Sequence, residues 1–155
     1  MVNAHILDST QEAVKKHSVW PREASHSFPP GRTMSLMPVP PEIKGQKYID
    51  LATFRKDGTL VHTPIWFSEK DDRLYVKTRS DSGKYKRIRN NPQVRIAPCT
   101  MSGKITGPEF AATARILPPE DWTWAGKTIA RKYWLARIPF LWSKQNVYLE
   151  IQITQ

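Results

Sequence analysis

Cysteine occurs once in the 155 residues, at Cys99. No intrachain disulfide can staple this chain, and no thiolate cluster can hold a metal. Long apolar runs are missing as well: no stretch approaches the roughly eighteen residues that a membrane-crossing helix needs. The opening MVNAHILDSTQEAVKKHS lacks the apolar centre of a secretory signal. These absences predict a cytoplasmic protein with no membrane partner. Acidic residues are scarce too. Fourteen aspartates and glutamates face 24 lysines and arginines, for a formal charge of +10. Such a surplus suits an anionic partner, whether nucleic acid, an acidic membrane or a small phosphorylated ligand, without choosing among them.

The familiar catalytic patterns are also missing. His5, His17, His26 and His62 have no metal-ligand spacing. There is no Ser-His-Asp arrangement, no Walker loop and no G-x-G-x-x-G. Asp71 and Asp72 read as turn residues, and Cys99 in IAPC as a small buried hydrophobe. No catalytic residue is assigned from the sequence.

What is there is one domain's worth of chain, 39% hydrophobic and 25% charged, with six tryptophans. Residues 1–42 are polar and then proline-rich (Pro29, Pro30, Pro38, Pro40, Pro41), with a short helical candidate at Thr10–His17. Proline cannot serve a central strand, so this segment reads as an N-terminal arm, loose or wrapped on a partner subunit. Residues 43–155 form the domain proper. KYIDLATF alternates and ends at Asp57-Gly58, the favoured pair of a tight hairpin. LVHTPIWF then puts Val61, Thr63, Ile65 and Phe67 on one face, and Leu60, His62, Pro64 and Trp66 on the other. RLYVKT follows with Leu74, Val76 and Thr78 together. A helix capped within Ser80–Ser82 and stopped at Asn90-Asn91-Pro92 comes next.

The strand pattern returns in QVRIAPC and EFAATARIL. Pro118-Pro119-Glu120-Asp121 opens a second helical region running to about Ala136, broken by Pro139 before FLW. NVYLEIQIT closes the chain as a strand with Val147, Leu149, Ile151 and Ile153 inward. About six short strands with few, peripheral helices predict a small antiparallel barrel.

One junction carries chemistry. Ser82-Gly83-Lys84 stands where a strand has ended and a helix begins. A helix N-terminus offers unpaired N–H groups and the positive end of its dipole. Glycine admits an anion close to the backbone, serine adds a hydroxyl and lysine a charge. Arg87 lies one turn along, and Thr78 supplies a second hydroxyl from the preceding strand. The same residues also suit a plain capped surface helix, or a KYKRIR patch for nucleic acid with Tyr85 stacking. An anion site without proton-transfer groups points to a bound cofactor as the source of the chemistry.

The segments TFRKDGT…HTPIWF, RLYVKT, SGKYKRIRNNPQVRIAPC and the downstream ITG resemble the pyridoxamine-phosphate-oxidase-like split-barrel superfamily. The branch they resemble most is the coenzyme F-420-dependent (deazaflavin) one. The resemblance covers Lys47 to Leu117 and, more loosely, the final strand. It implies a six-stranded antiparallel split β-barrel, a homodimer with two cofactor sites at the subunit interface. It also implies an oxidoreductase that uses FMN or coenzyme F-420 (an 8-hydroxy-5-deazaflavin) to pass a hydride to or from a small organic substrate. Carried over, Thr63, Pro64, Ile65 and Trp66 lie beside the ring, partly through backbone groups. Lys77 and Thr78 lie near the ribityl–phosphate portion, and Ser82, Gly83 and Lys84 hold the phosphate.

The oxidases commonly carry arginine where this chain has Gly83, a loss of one cation, whereas glycine is usual in the deazaflavin branch. Trp66 fits ring contact or core filling. Tyr133, Trp134 and Trp142 fit the substrate side of the site or packing, and Arg87 fits the phosphate or the surface. The same fold also accommodates a non-catalytic flavin, deazaflavin or haem carrier.

Overall fold

The computed structural model of the chain describes residues 37–137 and 145–154. The helical candidate at Thr10–His17, the arm as far as residue 36, and Pro139 and Trp142 lie outside the described residues.

The alternating segments become seven antiparallel strands: β1 (Tyr48–Phe54), β2 (Leu60–Val61), β3 (Pro64–Lys70), β4 (Arg73–Arg79), β5 (Gln93–Pro98), β6 (Phe110–Ile116) and β7 (Asn146–Ile153). Their order is β2-β1-β3-β4-β7-β6-β5, and β1 also pairs with β5. That last pairing closes a ring of six strands, with the two-residue β2 left at its rim. The fold is thus the mainly-β, six-stranded antiparallel barrel that the sequence predicts. No helix among the described residues is long and apolar enough to cross a membrane.

The expected single strand LVHTPIWF is interrupted. β2 and β3 are separated by His62 and Thr63, yet the register against β1 runs straight through, from Thr53↔Val61 to Asp50↔Pro64. Thr63 keeps both backbone bonds to Leu51. The inward faces follow the alternation. Ile49, Leu51, Ile65, Phe67, Leu74, Val76, Leu149 and Ile151 fill the barrel, joined by Val39 and Ile43 ahead of β1. The β3–β4 hairpin turns on Asp71 and Asp72, both with positive φ. That is the pair of left-handed residues a two-residue type I′ turn requires.

Two helices accompany the barrel. α1 (Gly83–Asn90) is capped by Ser82 at one end and Asn91 at the other, and it turns Ile88 into the core. α2 (Trp122–Lys132) follows a 3-10 turn at Pro119–Asp121 and buries Ala125 and Ile129. It forms a second apolar cluster outside the barrel with Tyr75, Leu117, Tyr133 and Tyr148.

α2 stops short of Ala136, and Tyr133 is extended. The reason is what Tyr133 reaches. Its hydroxyl accepts from the Phe67 N–H at 3.2 Å and donates to the Lys47 carbonyl at 2.6 Å, with the Phe67 carbonyl 2.8 Å away. One side chain thereby bridges β3 to the residue before β1, where the ladder between those strands ends. Burial pushes the Tyr133 phenol up to about 12. Tyr133→Phe keeps the ring but strands buried backbone groups. It should cost about 1.5 kcal/mol, as for an unsatisfied buried donor, and lower the melting temperature by about 5 °C. An unchanged melting curve would show that the hydroxyl does not hold the two strands.

Candidate functional site

The barrel opens between β3 and β4. Their pairing runs from Lys70↔Arg73 to Phe67↔Val76 and then stops. Past that point β3 stays with β1 through Trp66, Ile65 and Pro64. β4 stays with β7 through Lys77, Thr78 and Arg79. The split therefore has one lip made by Pro64–Trp66 and another by Lys77–Arg79, and the second lip leads through Ser80–Ser82 into α1.

On the first lip the side chains divide by face. Ile65 points into the core and is buried, and as the partner of Ile49, two residues along from the bonded Leu51–Thr63 pair, it turns its N–H and C=O toward β1. Thr63 is half-buried and paired with Leu51, while Pro64 is exposed. Trp66 is half-buried with one face covered. Its ring stacks on Tyr133 at 4.8 Å between centroids and 8° between planes. Tyr133 thus packs, whereas Trp134 is 71% exposed.

On the second lip Thr78 is buried, and its Oγ1 lies 3.1 Å from the Ser82 Oγ. Ser82 also accepts from the Tyr85 N–H at 3.3 Å as the helix cap. Lys77 stands opposite Tyr148 on β7, and burial lowers its ammonium to about 8.

At the start of α1 the cations crowd. Lys84 is half-buried; burial first, then the charge of Arg87, lowers its pKa. Arg87 is lowered by burial and then by Arg55. Its Nε donates to the Thr53 Oγ1 at 2.7 Å, which folds the side chain back along the helix. A Cβ placed on Gly83 would meet the Arg87 Nη1 at 2.8 Å. The guanidinium thus stands in the space that a side chain at position 83 would enter. Among the described residues neither Lys84 nor Arg87 has a carboxylate partner. Like charges gathered without a counter-charge repel one another, and a phosphate entering there would relieve that repulsion.

Of the ten residues singled out in the sequence, Thr78, Ser82, Gly83 and Arg87 form one connected set, with Lys84 joined to it by charge. Thr63–Trp66 and Lys77 flank the split. Sequence reasoning missed Thr53 and Arg55. Thr53 looked like one more residue of an alternating strand, and Arg55 like the flank of a hairpin. Nothing local ties either to Arg87, more than thirty positions away. Among the described residues no group of His, Cys, Asp and Glu could hold a metal ion.

Comparison with known proteins gives the same frame. The family model described as pyridoxamine 5'-phosphate oxidase matches residues 40–150. No curated protein matches the sequence. Among solved structures, a conserved hypothetical protein from Mycobacterium tuberculosis superposes with a TM-score of 0.59 at 19% identity, over 74% of this chain and 77% of that one. The haem storage protein of Vibrio cholerae has a TM-score of 0.57 at 18% identity, over 77% and 92%. An FAD-binding protein from Mesorhizobium loti has a TM-score of 0.54 at 19% identity, over 74% and 84%. At such identities the likeness is one of fold.

Proposed function

This chain belongs to the pyridoxamine 5'-phosphate oxidase family, and from that premise we propose that it is a cytoplasmic, homodimeric oxidoreductase dependent on FMN or coenzyme F-420. It transfers a hydride between the cofactor ring and a small organic substrate. The observation that carries the reading is the start of α1, where Lys84 and Arg87 feel each other's charge with no carboxylate partner among the described residues, directly after the Thr78–Ser82 hydroxyl pair in the chain. Ser82, Gly83, Lys84 and Arg87 take the phosphate. Thr78 and Lys77 stand on the same lip, toward the ribityl chain. Thr63, Pro64, Ile65 and Trp66 flank the ring, partly through backbone groups. The bound cofactor supplies the hydride chemistry, and the chain supplies orientation and charge. A net charge of +10 suits both candidates, and coenzyme F-420 with its acidic tail more so.

The test is an equilibrium titration of the protein with FMN and with F-420, followed by ligand fluorescence. Saturable binding of either supports the reading and names the cofactor; binding of neither ends it. The likeness in fold to a haem storage protein favours one second reading, a carrier of the same fold. Haem bound in place of both flavins, with no turnover from any electron donor, would select it.

A pH dependence follows from Lys77. Its ammonium is held at about 8, so it is charged below that pH and neutral above it. Flavin affinity should therefore fall as pH rises from about 7 to 9, and Lys77→Met should flatten that limb. Without ligand the sign reverses. The unfolded chain binds the proton up to its ordinary, higher pKa, so folding stability from this residue rises with pH above about 8. A flavin affinity constant across that range would remove Lys77 from the site.

A further inference from the structure

One buried acid is used by nothing described so far. Asp50 lies on the outward side of β1, between Pro64 of β3 and Ala97 of β5, and is only 2% exposed. A carboxylate taken from water needs partners for both oxygens. Asp50 has one: its Oδ2 lies 2.6 Å from His62 Nδ1, while Oδ1 is buried without a hydrogen bond. As a stabilising device this is poor, since half the carboxylate is unpaid for. As a device for holding an imidazole it is good. A carboxylate on Nδ1 makes that nitrogen the donor, fixes the ring, and leaves Nε2 on the far side. The His62 side chain is 52% exposed, and Nε2 makes no hydrogen bond among the described residues.

The placement matters because of the strand. His62, Pro64 and Trp66 alternate onto one outward edge, and the register against β1 is continuous through them. A ligand resting on Pro64 and Trp66 has His62 next along the same edge. Tyr48 from β1 and Cys99 beyond β5 also share this outward row. The Cys99 thiol is pushed up by burial and then by the charge of Asp50, so it stays protonated.

We propose that His62 is the proton donor of the site and Asp50 its positioning residue. The inference rests on the flavin-site reading above. The Nε2–H bond of the imidazolium breaks, and the proton passes to the ligand heteroatom that takes up an electron pair. The imidazole is left neutral with Nδ1–H still on Asp50, and its half-exposed ring regains a proton from water. A bound reduced flavin-type cofactor would be the reductant: its one hydride brings both electrons to a substrate carbon, and the bond pair displaced there is the pair that the heteroatom takes up.

The decisive experiment reads the imidazole nitrogens of His62 by NMR in ¹⁵N-labelled protein at about pH 6. It is done alone, with saturating FMN, and with the bound FMN photoreduced; F-420 replaces FMN if the titration selects it. The expected result is an Nε2 signal that shifts when FMN binds and shifts again when the bound FMN is reduced, with Nδ1 protonated throughout. Asp50→Asn should scramble the tautomer. His62→Gln should weaken FMN binding about tenfold, as for one lost charged hydrogen bond. If FMN binds and the Nε2 signal neither shifts nor changes protonation, the proposal is overturned while the flavin site stands. If neither FMN nor F-420 binds, both fall together. A His62→Gln variant that melts early but binds normally would make the pair structural.

Discussion

Lys84→Ala should weaken binding of whichever flavin the protein takes by about 2 kcal/mol, roughly thirtyfold, as for the loss of one charge-assisted contact. It should do so without destabilising the protein. The two halves of that expectation have one cause. Lys84 is half-buried beside Arg87, and both burial and that neighbouring charge lower its pKa. A charged lysine there costs the free protein stability at neutral pH, because the unfolded chain holds the proton more readily. An arriving phosphate reverses the sign of the local potential and turns the cost into attraction. Alanine removes both the cost and the attraction. The ligand-free melting temperature should therefore stay level or rise while the dissociation constant rises. Lys86, exposed on the same helix, is the control, and Lys86→Ala should change neither. Equal flavin affinity in wild type and Lys84→Ala would mean that the start of α1 is only a capped surface helix.

The contrast between Lys84 and its surroundings shows what the sequence could tell. Ser82 was legible because capping is a local matter: a hydroxyl, a helix start and the N–H of Tyr85 lie within four residues. The strands were legible because a barrel buries one face, and Leu74, Val76 and Thr78 must then alternate with outward neighbours. The break at His62–Thr63 left no mark, because the register continues across it. Long-range side-chain contacts left none either. The Arg87 guanidinium is held by Thr53, and KYIDLATF offers no hint that its last threonine would anchor a helix. Tyr133 looked like one aromatic in a tryptophan-rich segment, yet its hydroxyl joins residues 66 and 86 positions away. His62 has no metal-ligand spacing to mark it in the sequence. What singles it out is a buried acid twelve positions back, and only the pairing of β1 with β2 and β3 brings the two together.

Glu150→Ala should be the most damaging single change outside the hydrophobic core, costing about 3 kcal/mol and lowering the melting temperature by about 10 °C. Glu150 sits on β7, 7% exposed, directly between Tyr75 on β4 and Arg115 on β6. Its Oε1 accepts from Arg115 at 3.1 Å, and its Oε2 accepts from Arg73 and the Tyr75 hydroxyl, each at 3.3 Å. Burial and then this carboxylate push the Tyr75 phenol up to about 12. Removing the acid leaves two guanidinium groups flanking an empty position and a buried phenol without its acceptor. Both arginines are more than a third exposed, so each can turn to water, and the cost stays at the lower end for a broken buried pair. Glu150→Gln keeps an acceptor and should cost less. Adding Arg73→Met and Arg115→Met to Glu150→Ala should recover part of the loss, since the stranded charges go with the acid. The damage should also spread. Tyr75 meets Trp124 of α2 edge-on at 4.9 Å, and the chain leaving α2 carries Tyr133 to its stack on Trp66. If the network holds α2 to the barrel, Glu150→Ala should raise amide exchange in α2 before the strands open. Exchange rising equally in every strand would place the network in the barrel's global stability, with no special claim on the helix beside the split.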